Sequence, residues 1–377
     1  MIGRIRVSLA AIRHNAELLA TLIQPSRAAF VVKGNAYGHG LLPVAKALEP
    51  AADRLCVYGV DEALALRSGG ITAPILVMGP VPIAALDEAL AAGLETALWD
   101  PKEFTAELAA AAIHRRATAT IHVKVNTDLN RLGLDPGQLR AAVERLVGIP
   151  GITLEGIFSH LAAAEEIDSP YTTHQLMAFD RALGEVEPLL SGRRLRPLRH
   201  IAASAAAMLW PRTRLDMVRF GIALYGLMPS PQTSEALGAQ ALDLRPALSY
   251  ESKLVAVRTV SAGASVGYGG VFHAPREMRV GVVPAGYADG VPRALSNRGA
   301  FAVDGALCPV VGRVAMNMTQ LDLTNAPHAH TGSRVTLIGR DGDAVVSADD
   351  WAQWSETINY EIVTRLPSEV PRIYDDG

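Results

Sequence analysis

Cysteine, lysine and long apolar stretches are scarce in this chain of 377 residues. Its two cysteines, Cys56 and Cys308, are too few for a disulfide framework, which predicts a reducing compartment and argues against a metal site built from cysteines. No stretch of about 18 residues is apolar and free of charge, so no membrane span is expected. The first 25 residues contain Arg4, Arg6 and Arg13 and lack the apolar core of a signal peptide. These absences predict a cytoplasmic protein without a metal.

A strong excess of either charge is also missing. The chain has 35 basic and 38 acidic residues and a formal net charge of -3, so no surface for nucleic acid is expected. Hydrophobic residues make up 49% and charged residues 19%, which excludes intrinsic disorder. Only five of the basic residues are lysines, at positions 33, 46, 102, 124 and 253. A lysine within an apolar run is therefore more noteworthy here than usual.

Residues 28–226 alternate short apolar runs with amphipathic runs. The eight strand candidates are Ala28–Lys33, Arg54–Gly59, Pro74–Gly79, Glu95–Trp99, Thr118–Asn126, Ile152–His160, Pro197–Ser204 and Met217–Phe220. The helix candidates between them are Asp61–Gly69, Pro82–Ala92, Pro101–Arg116, Pro136–Val147 and Tyr171–Leu190. Several of these begin with proline or aspartate, which is typical of a first helical turn. Eightfold alternation predicts a TIM-like (β/α)8 barrel, with an open doubly wound sheet as the alternative.

The pattern changes after Met228. The letters PSPQTS at residues 229–234 are typical of a connector. The apolar or alternating runs that follow are Ser252–Val260, Arg279–Pro284, Leu307–Arg313, Gln320–Leu323 and Arg334–Ile338, and only Ala348–Ser355 has a helical pattern. The expected fold class is therefore α/β plus β, with a barrel domain at 1–235 and a mostly β domain at 236–377.

Two lysines fall on predicted barrel strands. Lys33 ends the first strand and precedes a glycine-rich turn, which places an amine at the mouth where barrel active sites lie. A desolvated lysine is a usable nucleophile or Schiff-base former, although a strand-end lysine that reaches water fits the local pattern equally well. Lys124 lies within the fifth strand on the face shared by His122, and Arg131 follows seven residues later. An acid within the barrel is an alternative partner for Lys124.

Polar side chains end three further strands. His160 ends the sixth strand, Ser204 the seventh, and Arg219 the eighth, directly before Gly221 and Ile222. A single histidine at a strand end is more often structural than catalytic. Candidate residues from five strands at one rim of the predicted barrel nevertheless favour an active site there. In barrels of this kind, the loops after strands seven and eight commonly bind phosphate.

The β half contributes tyrosines between glycines. They occur in VGYGG at residues 266–270 and GYADG at residues 286–290, and VAMN at 314–317 and NYE at 359–361 are further candidates. Such a tyrosine usually marks a turn, and the functional interpretation is a phenol brought close to a substrate.

Three blocks of this sequence resemble bacterial alanine racemases, which are fold-type III pyridoxal-phosphate enzymes. They are VKGNAYGHG at residues 32–40, VRFGIALYG at residues 218–226 and GYADG at residues 286–290. The resemblance runs from LAAIRHN at residues 9–15 to VPR at residues 370–372, which is nearly the full length. Two spacings agree as well, since Tyr37 lies four residues after Lys33 and Arg131 seven after Lys124.

The resemblance implies a homodimer that interconverts L-alanine and D-alanine with pyridoxal 5'-phosphate and supplies D-alanine for peptidoglycan. Lys33 would hold the cofactor as a Schiff base and act as one acid–base group, and Tyr268 of the second subunit would be the other. The further cofactor-binding residues would be Tyr37, His160, Ser204, Arg219, Gly221, Ile222 and Tyr360. The substrate-binding residues would be Arg131, Tyr287 and Met316. Lys124 resembles a lysine that is often carbamylated, which would give Arg131 an anionic partner.

This chain departs from the family pattern at a few positions. Asn126 stands where aspartate is frequent, DLN at residues 128–130 where Gly-Met-Gly is frequent, Asn317 where aspartate is frequent and Gly34 where alanine is frequent. These changes concern the surroundings of Lys124 and the substrate side of the site. A broader-specificity racemase, a fold-III amino-acid decarboxylase and a non-catalytic pyridoxal-phosphate-binding protein are the alternatives.

Overall fold

The computed structural model describes residues 3–99 and 104–376 and divides the chain into two compact units. The barrel unit comprises Ile12–Ala36 and Leu41–Arg245, and the β unit comprises Met1–Ala11, Tyr37–Gly40 and Pro246–Gly377. The predicted domain limits, 1–235 and 236–377, stay a prediction.

Eight parallel strands form the sheet of the barrel unit. In chain order they are Arg27–Val31, Arg54–Val57, Ile75–Val77, Glu95–Leu98, Ala119–Lys124, Ile152–Phe158, Leu198–His200 and Met217–Phe220. Each pairs with the next as far as the seventh, and the eighth pairs with the first. Between the seventh and eighth strands, Asp216 and Arg219 donate their backbone N–H groups to the carbonyl oxygens of Arg199 and Ala202, both at 3.1 Å. The predicted barrel is confirmed, and the open sheet is excluded because these hydrogen bonds join the two strands that would otherwise be its edges.

Helices connect these strands. They are Leu9–Leu22, Leu41–Leu48, Val60–Ser68, Leu86–Ala91, Phe104–Arg115, Leu139–Leu146, Tyr171–Gly192, Ser204–Leu209 and Pro231–Leu237. The predicted helix start at Pro101 lies outside the described residues. The predicted connector at 229–234 is wrong in part, because Pro231 begins a helix and the Ser230 hydroxyl accepts the backbone N–H of Thr233 at 3.1 Å. No helix in 3–99 or 104–376 is long and apolar enough to cross a membrane.

The β unit contains three sheets. Its largest sheet has the order Ala306–Pro309, Ala300–Val303, Arg334–Asp341, Leu248–Lys253, Arg4–Ser8 and Arg372–Asp375, with Ala344–Val346 paired to Arg334–Asp341. The second sheet joins Ala256–Val260, Met278–Val283 and Thr319–Asp322, and the third joins Ser265–Val266 and Phe272–His273. The expected mostly β character is confirmed.

Two predictions in the β half are wrong in detail. The single run Ser252–Val260 is two strands in different sheets, because the chain leaves the first sheet after Lys253. A second helix, Asn359–Thr364, follows Ala348–Ser355. At six residues it is too short for an apolar periodicity to stand out.

Four of the barrel strands are buried at every residue, namely Arg54–Val57, Ile75–Val77, Glu95–Leu98 and Met217–Phe220. Phe30, Leu55, Ile75, Ile121 and Ile157 are each 0% exposed. Continuous apolar strands are typical of a parallel sheet that is covered on both faces. The polar side chains within this interior therefore require internal partners, and those partners form the site described next.

Candidate active site

Lys33 lies in a left-handed turn rather than at a strand end. The first barrel strand ends at Val31, and Lys33–Tyr37 forms one turn with positive φ angles. Those angles are 65° at Gly34, 54° at Asn35 and 53° at Ala36. This conformation costs about 1–2 kcal/mol for each residue that has a side chain, and such strain concentrates at functional sites. The predicted strand was too long because the Gly-Asn pair takes the chain out of extended geometry.

The carboxylate of Glu62 holds this turn in place. Its Oε1 accepts the backbone N–H groups of Gly34 at 2.7 Å and Asn35 at 3.4 Å. Its Oε2 accepts those of Tyr58 at 3.0 Å and Gly59 at 3.4 Å. One side chain thus ties the turn that carries the lysine to the loop after the second barrel strand.

The environment of the Lys33 amine favours its neutral form. Burial lowers the pKa of Lys33, and the guanidinium of Arg131 lowers it further, while Glu62 opposes the shift. A neutral amine is the nucleophilic form of lysine and the form that can accept a proton. The position of Lys33 and its lowered pKa therefore suit a lysine that forms a covalent bond as a nucleophile.

Lys124 ends the fifth barrel strand and is buried. Its Nζ lies 5.7 Å from the centre of the Phe158 ring. No carboxylate in the described part of the chain forms an ion pair with it, so the acid considered as its partner is not found there. Burial lowers the pKa of Lys124 to about 8, and Arg131 is the next largest cause.

The loop that leads to Arg131 is closed by two asparagines. The Asn126 amide donates to Asn130 Oδ1 at 2.9 Å, and the Asn130 backbone N–H donates to Asn126 Oδ1 at 2.9 Å. Asp128 and Asn130 have φ of 78° and 53°. Glycine is frequent at both positions in the family that the sequence resembles, and asparagine and aspartate enter this region more readily than most other side chains. The departures seen in the sequence thus preserve the shape of the loop.

Arg219 is buried at the end of the eighth strand. Its guanidinium donates to His200 Nδ1 at 2.7 Å and to the carbonyl oxygens of Ser159 at 2.8 Å and Ile201 at 3.3 Å. It also lies 3.4 Å from Nδ1 of His160. The structure therefore brings the predicted residues His160 and Arg219 together.

Ser204 and Gly221 meet at the ends of the seventh and eighth strands. The Gly221 backbone N–H donates to Ser204 Oγ at 3.1 Å, and both residues are buried, as is Ile222. Hydroxyl and backbone N–H groups at this end of a barrel are suitable donors to a phosphate.

Four cations share this mouth of the barrel without an ion-paired acid among the described residues. Arg131, Arg219 and Lys33 all lower the pKa of Lys124, which shows that the four positive charges act on one another. Concentrated positive charge favours a ligand with several negative charges. A phosphorylated cofactor with a further anionic oxygen fits this set of donors. Within the ranges that the structure covers, no group of His, Cys, Asp and Glu side chains could hold a metal ion.

The predicted residues of the β unit lie in turns. Tyr268 is 72% exposed between Gly267 and Gly269, and Tyr287 and Met316 are also exposed. The Tyr287 backbone N–H donates to the carbonyl oxygen of Ala315 at 3.0 Å, which joins the two segments that contain Tyr287 and Met316.

Tyr37 and Tyr360 form an aromatic pair within the same unit. Their ring centroids are 6.2 Å apart, with an angle of 52° between the planes. The structure thus brings together two of the side chains predicted to bind phosphate.

Several polar residues of the site were not among the sequence candidates. They are Arg54, Glu62, Glu95 and His200, and His122 was noted only for its face. A charged or imidazole side chain in an otherwise apolar barrel strand is the signal that could have found four of them. Glu62 offers no such signal, because an acid in a first helical turn is common.

Three barrel histidines have pKa values held below the ordinary range. Burial lowers the pKa of His122, lowers that of His160 to about 3, and lowers that of His200 well below its usual value. Arg219 is the second cause for both His160 and His200. These rings therefore stay neutral in the folded chain at pH values where the unfolded chain binds protons.

We expect the free energy of unfolding to fall as the pH drops from about 6.5 towards 3. In that window His160 contributes a slope of about 1.4 kcal/mol per pH unit, because only its unfolded form is protonated, and His122 and His200 act in the same direction. Urea unfolding followed by tryptophan fluorescence between pH 8 and pH 5 measures this slope. In the His160→Asn variant, the free energy of unfolding should depend less steeply on pH by the contribution of one histidine. An equal slope in both proteins would contradict a lowered pKa for His160.

Comparison with known proteins identifies close relatives along the whole chain. The family model described as "Alanine racemase, N-terminal domain" matches residues 7–229, and the "C-terminal domain" model matches residues 247–374. The alanine racemase of Desulfosudis oleivorans is 39% identical over 382 residues, covering 98% of this chain and 96% of that protein. That of Thermobifida fusca is 40% identical over 374 residues, covering 98% and 97%.

Solved structures agree with these relatives. The alanine racemase from D-cycloserine-producing Streptomyces lavendulae has a TM-score of 0.91 and 35% identity, covering 100% of this chain and 98% of that chain. The biosynthetic alanine racemase from Pseudomonas aeruginosa has a TM-score of 0.86 and 34% identity, covering 99% of both.

Proposed function

This chain belongs to the alanine racemase family of pyridoxal-phosphate-dependent isomerases, and we propose that it interconverts L-alanine and D-alanine by proton transfer at Lys33 and at Tyr268 of a second subunit. The observation that carries the proposal is the partly buried amine of Lys33 among three further cations at the mouth of the barrel. A site of this kind suits a covalently held, phosphorylated cofactor.

The residues proposed to hold the cofactor are those that match the family pattern. Lys33 would attach it, Ser204 and the Gly221–Ile222 backbone would bind its phosphate, and Arg219 would face its ring nitrogen. Tyr37 and Tyr360, whose rings form an aromatic pair, are proposed as further phosphate partners. When bound, pyridoxal phosphate supplies an electron sink that acidifies the α C–H bond of an amino acid.

Arg219 would keep a proton off the ring nitrogen of the cofactor. A guanidinium only donates hydrogen bonds and stays charged, so it has no proton to give to a nitrogen that accepts from it. Its contacts with His200, Ser159 and Ile201 hold it in one orientation. His160, which lies against the same guanidinium, would link it towards Tyr268.

Racemisation requires one group to remove the α proton from one face and another to return a proton to the opposite face. Lys33, whose lowered pKa eases the loss of its own proton, would accept the α proton on its side, and the Tyr268 phenol would donate on the other. Arg131 would bind the substrate carboxylate, with the Met316 backbone N–H and Tyr287 beside it. The high exposure of Tyr268 supports its use by a partner subunit in a homodimer.

Lys124 is proposed to carry a carbamate. Its neutral amine attacks the carbon of CO2 and forms a C–N bond, while the π electrons of one C=O bond move to oxygen and one N–H proton leaves to solvent. The side chain is then an anion instead of an ammonium cation. The pKa of about 8 leaves a substantial neutral fraction at neutral pH, and Arg131 would then gain an anionic partner.

We expect ¹³C NMR of the protein in ¹³C-bicarbonate to show one carbamate resonance per chain, which the Lys124→Arg variant lacks. The exposed Lys46 provides the matched control, since Lys46→Arg should keep the signal. A spectrum without the resonance, from a fully active sample, would remove the carbamate from this proposal.

A chiral assay tests the reaction itself. L-alanine incubated with the purified protein should give D-alanine and approach equal amounts of the two isomers, because the two enantiomers have equal free energy. Release of CO2 from basic amino acids would instead favour a decarboxylase, and equal rates on several amino acids would favour a broad-specificity racemase. The cytoplasmic location and the supply of D-alanine for peptidoglycan are proposed together with this activity.

A further inference from the structure

A chain of buried polar side chains crosses the interior of the barrel and ends on Arg219. Glu95 Oε2 lies 3.0 Å from His122 Nε2, and His122 Nδ1 lies 2.9 Å from His200 Nε2. His200 Nδ1 in turn lies 2.7 Å from a guanidinium nitrogen of Arg219. Arg54 anchors the far end through two bonds to the Glu95 carboxylate, at 2.7 and 3.0 Å.

The two ends of this chain determine where every proton lies. The Glu95 carboxylate only accepts, so His122 Nε2 must carry a hydrogen, and the Arg219 guanidinium only donates, so it can keep its bond to His200 only while Nδ1 of that ring is bare. One proton remains for the contact between the two rings. A neutral His122 has a bare Nδ1, and His200 therefore donates from Nε2.

Protonation of His122 would break this order. Both of its nitrogens would then donate, His200 Nε2 would have to accept, and the His200 proton would move to Nδ1, where it faces another donor. Burial opposes that state because it lowers the pKa values of both His122 and His200.

Packing holds both rings in the required planes. The His200 ring stacks on Phe158 with centroids 4.9 Å apart and an angle of 1° between the planes. The His122 ring lies against Gly156, where a Cβ atom would come within 2.1 Å of His122 Nδ1. Neither ring can turn to exchange its nitrogens without displacing these neighbours.

We propose that Glu95 and His122 are positioning residues that keep the proton of His200 on Nε2, so that His200 Nδ1 accepts from Arg219 and orients its guanidinium. The consequence for catalysis rests on the proposed function, since Arg219 would face the cofactor ring. The tautomer of His200 is a property of the protein itself and can be tested separately.

The first test uses the unaltered holoenzyme. Imidazole ¹⁵N chemical shifts distinguish a protonated from a bare ring nitrogen. For His200 we expect a protonated Nε2 and a bare Nδ1, unchanged between pH 6 and pH 9. A proton on His200 Nδ1, or a cationic ring in this range, would overturn the proposal without any variant.

Variants test the coupling to Arg219. His122→Phe removes the nitrogen that accepts the Nε2 proton of His200, so His200 should show mixed tautomers. The pH dependence of the cofactor absorbance should then change, and kcat should fall about tenfold. His122→Gln offers both a donor and an acceptor and should recover most of these values. Glu155→Gln is the matched control, because Glu155 accepts from Arg54 at 2.8 Å and acts on His122 only through its charge, whose loss lowers the pKa of His122 further and keeps that ring neutral.

The outcomes separate the two proposals. An unchanged His200 tautomer and absorbance in a folded His122→Phe variant would overturn the positioning role while leaving racemisation intact. A protein with the expected tautomers that does not racemise alanine would instead contradict the proposed function.

Discussion

Replacing Lys33 by alanine should abolish racemisation and covalent attachment of the cofactor together. The loss removes both the amine that forms the link and one of the two acid–base groups, and an acid–base group alone is worth about 10²–10⁴-fold in rate. We expect borohydride reduction of the unaltered protein to leave the cofactor on the peptide that contains Lys33, and the Lys33→Ala variant to retain none.

The control for this variant is Lys46→Ala, which removes an exposed lysine from the helix Leu41–Leu48. It should bind cofactor and turn over as the unaltered protein does. Reduction that labels another lysine in the unaltered protein, or a Lys33→Ala variant that still turns over, would contradict the assignment of Lys33 as the residue that holds the cofactor.

The Tyr268→Phe variant should bind cofactor normally and lose about 10²–10⁴-fold in turnover. The ring remains and only the phenolic hydroxyl is lost, so the fall belongs to proton transfer rather than to packing. Chiral analysis in both directions measures it. The exposed Tyr58 on the barrel unit supplies the comparison, since Tyr58→Phe should be as active as the unaltered protein.

Combining the two variants tests whether the site is shared. If each site takes Lys33 from one subunit and Tyr268 from the other, a mixed dimer has one site with both defects and one with neither. Co-expression of Lys33→Ala and Tyr268→Phe chains in equal amounts should then restore about a quarter of full activity, because about half of the dimers are mixed. Two inactive chains that stay inactive when mixed would refute a shared site.

Much of the barrel could be predicted from local pattern. The eighth strand, Met217–Phe220, and the helix Ala348–Ser355 have the bounds expected from the sequence. Apolar runs between proline-initiated helices carry this information, because each element must bury one face. Closure was the favoured prediction, but the local pattern left an open sheet as the alternative, since closure depends on the pairing of strands that are far apart in the chain.

The candidate site was predictable where a residue type is unusual for its position. Lys124 stood out as a cation in an apolar strand, and Arg219 as another at a strand end. Glu95 and His200 were not among the candidates, because their role depends on hydrogen bonds to His122, which lies on a different strand far away in the chain.

The order of residues along the chain was enough to predict the alternation of strands and helices, the family and the residue types at the mouth of the barrel, because these depend on local order. The three-dimensional fold was needed to place Lys33 in a left-handed turn clamped by Glu62, and to join Glu95, His122 and His200 in one hydrogen-bonded line to Arg219. A hydrogen bond depends on distance and direction in space, and residues from different strands acquire both only when the barrel closes.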